Sequence, residues 1–174
     1  MRSQFLLVPA AIIASVAAHA EDYMTVEEAQ QAIFPGAKFT PADFTMNEAQ
    51  VDALIKATNA TVFRSRVKAW KVSTGGWFFL DQVPGRDDRI TYAIGLDEKG
   101  EVKSIEILVC LAGWSGVRDG KWRAQFEGKG HRPGANLMAE VANIAGTTLS
   151  VEHIVEGVTR MLATHAMYVS GKTG

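Results

Sequence analysis

The spacing of apolar and polar residues changes three times along the chain. Residues 5–18 form an almost unbroken apolar run. Thr25, Val26, Glu27 and Glu28 then read as a capping box, a hydroxyl at the N-cap with a carboxylate three positions on. The helix it opens runs to about Ile33, where Phe34, Pro35 and Gly36 stop it. A second helix is expected from Asn47, with Gln50 at its third position and Val51, Leu54 and Ile55 as its apolar face. The period then shortens from helical to alternating. Residues 68–72, 77–83, 90–96 and 102–110 read as four strands. Gly75 and Gly76, the polar residues 84–88, and residues 98–101 form the turns between them. Residues 111–136 are glycine-rich, interrupted by a short helix at 122–126. Val151, Ile154, Val155, Val158 and Leu162 restore the helical period, so residues 151–166 predict the last helix.

Strands joined by such short turns must run antiparallel, because a parallel pair needs a long crossover. The pattern therefore predicts one α+β domain: a mainly antiparallel, twisted sheet packed against helices. No repeat or linker divides the chain.

The first apolar run carries a single charge ahead of it, Arg2, and ends in Ala18, His19 and Ala20. This small-x-small ending is what signal peptidase accepts. The run is shorter than the roughly 20 residues a bilayer-spanning helix requires. Residues 1–20 are expected to be a signal peptide cleaved after Ala20, with residues 21–174 forming the single domain in the periplasm. No later segment is apolar enough to span a membrane. The net charge of −1 provides no broad basic field, so nucleic acid is not an expected partner. Cys110 is the only cysteine. It allows no internal disulfide, haem attachment or thiolate metal cage, and its apolar neighbours suggest a buried small hydrophobe.

Candidate chemistry concentrates at Ile144, Ala145, Gly146, Thr147, Thr148, Leu149 and Ser150. This small, hydroxyl-rich stretch enters the strongest predicted helix. A helix start offers unpaired backbone N–H groups and the positive end of the dipole, which suits phosphate. Glycine lets backbone approach a ligand closely. The same residues also suit ordinary helix capping, and local spacing leaves both roles open.

Over residues 70–165 the chain resembles the FMN-binding domain family. That family includes the flavin-carrying periplasmic subunits of the sodium-pumping NADH:quinone oxidoreductase and of the related ferredoxin-linked complex. Its hallmark is Ser-Gly-Ala-Thr-x-Thr/Ser, matched here by Ala145, Gly146, Thr147, Thr148, Leu149 and Ser150. Further similarity lies in residues 76–81, 90–93, 102–108 and 122–126, and in His153, Gly157 and Val158. Two hallmark positions differ, with Ala145 in place of serine and Thr147 in place of alanine. Residues 109–113 replace a stretch that is often charged.

The resemblance implies an exported electron carrier with FMN joined through its phosphate to a hydroxyl, at the N-terminus of the last helix. Ser150 falls on the linked position and Thr148 on the internal threonine. A flavin transferase would make the phosphoester from FAD, and a membrane or periplasmic redox partner would exchange electrons. Such a carrier has no substrate of its own, so electron transfer is expected rather than enzymatic turnover. The alternative is a degenerate relative that serves as a non-flavin ligand-binding or accessory module.

Arg118, Lys121, Arg123, Lys129 and Arg132 stand against Asp119 and Glu127. This segment suits a phosphate, an acidic partner, or plain solvent. Arg123 and Lys129 are its candidate cofactor contacts. Trp114 and Trp122 suit either flavin stacking or the core. His153 and His165 lie about 120° apart around the last helix, too far for one metal ion. No H-E-x-x-H or G-x-S-x-G motif is present, so neither a metal site nor a serine hydrolase is expected.

Overall fold

The computed structural model describes residues 20–85, 88–111 and 116–170. The expected signal peptide, residues 1–20, therefore lies almost wholly outside the described residues. The elements are β1 (Ala20–Asp22), α1 (Val26–Ile33), β2 (Phe39–Pro41), β3 (Phe44–Thr45), α2 (Glu48–Thr58), β4 (Arg66–Val72), β5 (Trp77–Pro84), β6 (Arg89–Leu96), β7 (Val102–Leu111), α3 (Gly120–Arg123), α4 (Leu137–Glu140) and α5 (Thr148–Tyr168). The α+β expectation holds. All strand pairs are antiparallel, in the order β1-β7-β6-β5-β4-β2, with β3 pairing β4 off that path.

The expected capping box of α1 is present, and the start expected at Asn47 carries one as well. Thr25 and Glu28 satisfy each other's backbone N–H groups at the head of α1, and Asn47 with Gln50 does the same for α2. The predicted strands form, each within about two residues of the expected ends. The short helix expected at 122–126 is α3 followed by a 3-10 turn, Ala124–Phe126.

Alternation along the strands gives the sheet two apolar faces. Trp77, Phe79, Val83, Tyr92, Ile94 and Ile105 join the larger core, which α5 covers. Val151, Ile154, Val155, Val158 and Leu162, the predicted stripe, are all buried there. Phe78, Ala93 and Leu108 face the other way and pack under Ala29 and Ile33 of α1. Two glycines set how closely these helices approach. A Cβ at Gly157 of α5 would lie 2.6 Å from the Tyr92 hydroxyl, and one at Gly95 of β6 would lie 2.3 Å from Ile33. Cys110 is fully buried, as its neighbours suggested.

One end of the sheet splays. β4 pairs with β5 from Lys68↔Leu80 to Lys71↔Trp77, and its earlier residues Arg66 and Val67 have no partner on β5; on its opposite edge they pair with β3, which continues the register of β2. From Asp81 onward β5 pairs with β6 alone.

Candidate functional site

Helix α5 begins three residues earlier than its apolar stripe indicated. Thr148 and Ser150 are therefore inside its first turn rather than in the loop before it. Thr147 occupies the N-cap position without capping. Its ψ of 24° is far from the extended backbone that the capping residues of α1 and α2 adopt, and its hydroxyl donates back to the Ile144 carbonyl at 3.3 Å. The Val151 N–H donates to the Thr147 carbonyl at 3.1 Å. Among the described residues, no hydrogen bond is made by the N–H groups of Thr148, Leu149 and Ser150, the ordinary orphans of an uncapped helix start.

The loop before this turn is held firmly. The Trp122 indole N–H donates to the Ala142 carbonyl at 2.9 Å, and the Ala142 N–H donates to Gln125 Oε1 at 2.8 Å. Asn143 accepts from the Ile144 N–H at 2.8 Å and donates through Nδ2 to the Thr148 hydroxyl at 3.1 Å. Gly146 adopts φ +83°, which glycine takes without strain. Gly116 backs onto this loop, with room for a Cβ only 3.2 Å from Ile144 and 3.3 Å from Thr147.

The expected site residues separate into two groups. Ala145, Gly146, Thr148 and Leu149 are exposed at the helix head, with Thr147 half-buried beside them. Ser150 differs from its expected role as an exposed terminal hydroxyl. It is only 2% exposed, because the third position of α5 already turns onto the core face beside Val151. Trp122 is likewise buried. It packs edge-on against Phe126 at 5.2 Å and fastens the loop through Ala142, so it positions the turn and offers no open ring face. The cations are largely engaged elsewhere. Arg123 pairs with Glu106 and also donates to the Ile105 carbonyl. Lys129 lies 2.8 Å and Arg132 2.6 Å from Glu140, and the Arg118 guanidinium stacks 3.5 Å from the Tyr23 ring centre. Trp114 lies outside the described residues.

Asn143, Gln125 and Gly116 were not singled out from the sequence. Asn143 could have been, since asparagine just before a small-residue turn tends to bond nearby backbone. Gln125 and Gly116 act over distances that leave no local pattern.

His153 Nδ1 lies 2.8 Å from the Pro84 carbonyl. His131 and His165 line a separate cavity of about 560 Å³ near the other end of α5. Among the described residues, no group of three or more His, Cys, Asp or Glu side chains is placed to hold a metal ion, and no helix is long and apolar enough to cross a membrane. No family model and no curated protein matches the chain.

Proposed function

We propose that the chain is an exported electron carrier bearing FMN through a phosphoester at the head of α5, with Thr148 as the linked residue. The observation that carries the reading is the pairing of three unpartnered backbone N–H groups with one exposed hydroxyl in the same helical turn. Those N–H groups and the α5 dipole suit a phosphate dianion. The Asn143 amide steadies the Thr148 oxygen from the side. Gly146 keeps side-chain bulk away from the turn, and the bonds from Trp122 and Gln125 fix the loop before anything binds. FMN, when bound, supplies the redox chemistry, and the chain supplies attachment, orientation and charge. The donor and acceptor are separate proteins, and a flavin transferase provides the group from FAD.

A second reading, a relative that serves as a non-flavin ligand-binding or accessory module, is favoured by two observations. Arg123, the candidate cation beside Trp122, is committed to Glu106, and Lys129 and Arg132 pair with Glu140 at the cavity near the other end of α5.

Co-expression of the full precursor with a periplasmic flavin transferase separates these readings. In-gel flavin fluorescence and peptide mapping should place the group on Thr148. Thr148→Ala should abolish the fluorescence, and Ser150→Ala should retain it. Mapping to Ser150 would overturn the choice of residue and leave the carrier standing. An unlabelled wild-type chain beside an active transferase would establish the second reading instead.

A further inference from the structure

The splay between β4 and β5 opens a second cavity, of about 210 Å³, that the flavin reading does not use. β4 parts from β5 beyond Lys68↔Leu80, so among the described residues the edge of β5 from Asp81 onward has no strand beside it. Residues 61–64 and the middle of α5 close over this gap. Arg160 lies twelve residues along α5 from Thr148, about 18 Å at the usual helical rise, so this cavity is separate from the helix head.

Its lining is strongly cationic for a chain of net charge −1. Arg64, Arg66, Lys68, Arg89 and Arg160 all contribute. Among the described residues, two carboxylates pair with them. Asp43 is shared by Arg66 at 3.2 Å and Lys68 at 2.7 Å, and Asp81 takes Arg160 at 2.5 Å. Among the described residues, Arg64 and Arg89 have no carboxylate partner. Arg160 is 3% exposed and held from two sides, by Asp81 and by the Thr61 carbonyl at 2.6 Å, so its position is fixed before any ligand arrives.

The remaining wall is mostly apolar, formed by Met46, Val62, Phe63, Val67, Leu80 and Met161, with Asp81 and Gln82 between them. Phe63 is 47% exposed, an unusual setting for a phenyl ring, and its ring centre lies 5.9 Å from the Arg160 guanidinium. A large exposed apolar side chain at the mouth of a cavity suits a ligand surface.

We propose that this cleft binds a small aromatic carboxylate. The carboxylate would meet the unpartnered arginines, which suit it better than lysine because guanidinium binds two oxygens at once. The ring would lie against Phe63 and Met161. A cleft of about 210 Å³ has room for a single substituted ring.

Titration of the mature chain with benzoate, followed by amide NMR shifts and calorimetry, tests the proposal. Saturable binding should perturb residues 62–64, 80–82 and 160–161. Benzamide, of the same shape without charge, should bind at least tenfold more weakly. The double variant R64E/R89E replaces two exposed side chains and should weaken benzoate at least tenfold while melting within a few degrees of the wild type. Phe63→Ala should weaken benzoate while leaving sulfate binding unchanged. Equal affinity for benzamide, or benzoate binding that survives R64E/R89E, would overturn the site. Sulfate binding as tightly as benzoate would overturn the aromatic part of the proposal.

Discussion

At the scale of single residues, Gly157 shows two opposed effects of known size. Alanine in a helix interior is favoured over glycine by about 1 kcal/mol. At this position, however, the added methyl would sit 2.6 Å from the Tyr92 hydroxyl and 2.7 Å from Val83. Neither neighbour can yield easily. Tyr92 is fully buried and donates to Asp81 at 2.9 Å, and Asp81 also holds Arg160. Burial, reinforced by the Asp81 charge, keeps the Tyr92 phenol well above its ordinary pKa, so it stays a donor. Arg160 stays charged despite its burial, because the Asp81 and Glu156 carboxylates favour the cation. Overpacking costs about 1–3 kcal/mol and should win. Gly157→Ala is expected to destabilise the domain by about 1 kcal/mol in chemical denaturation. Gly120→Ala, where nothing lies within 4 Å of the new methyl, should not. Equal midpoints for the two variants would show that α5 can lift from the sheet freely.

At the scale of elements, the two threonines that precede helices show what local sequence reveals and what it misses. Thr25 and Thr147 look alike as candidate caps, but only Thr25 caps. Its backbone is extended at ψ 165°, so its hydroxyl reaches the Glu28 N–H at 3.1 Å. At Thr147 the backbone follows a turn imposed by Gly146 and by the anchored residues 142–144, and the hydroxyl points back to Ile144. Thr25→Ala should therefore cost about 1 kcal/mol, and Thr147→Ala should stay within about 0.5 kcal/mol. Paired thermal denaturation measures both, and a larger loss at Thr147 would mean that it caps α5 in solution. The same contrast holds elsewhere in the chain. The strands from Arg66 to Leu111 were legible because alternation and tight turns are local. The β1–β7 pairing and the β3–β4 pairing were not, since they join short segments far apart in sequence. The candidate turn was legible as a motif, but the burial of Ser150 was not. Burial depends on the phase of the helix, and phase depends on where the helix begins.

At the scale of the whole molecule, proton binding should divide acid unfolding into two ranges. Burial holds His165 below the ordinary histidine pKa, against the opposing pull of Asp97. An unfolded chain would bind that proton near pH 6.5, before the folded one does. Stability is then full above about pH 6.5 and falls as pH drops from there toward the lowered folded value. The slope is at most about 1.4 kcal/mol per pH unit for one proton. Three carboxylates behave differently. Hydrogen bonds from the Thr25 backbone to Glu28, from Lys68 to Asp43 and from Lys129 to Glu140 hold all three pKa values down. What they contribute is present above the unfolded carboxylate values near pH 4 and is lost as pH falls below them. The upper range belongs to a ring seated against Phe79 and Gly100, and the lower one to two ion pairs, at Asp43 and Glu140, together with the Thr25–Glu28 hydrogen bonds. They can therefore be separated by substitution and by salt. His165→Gln should flatten the dependence of unfolding free energy between pH 7 and 5 while leaving the loss below pH 4.5 intact. Added salt should reduce the lower loss and leave the upper one, because partly exposed pairs are screened and a buried ring is not. Urea denaturation from pH 7 to 3, with and without 0.5 M NaCl as a roughly fourfold-shortened screening range relative to dilute buffer, measures both effects. An unchanged slope above pH 5 in His165→Gln would place the upper titration on another group.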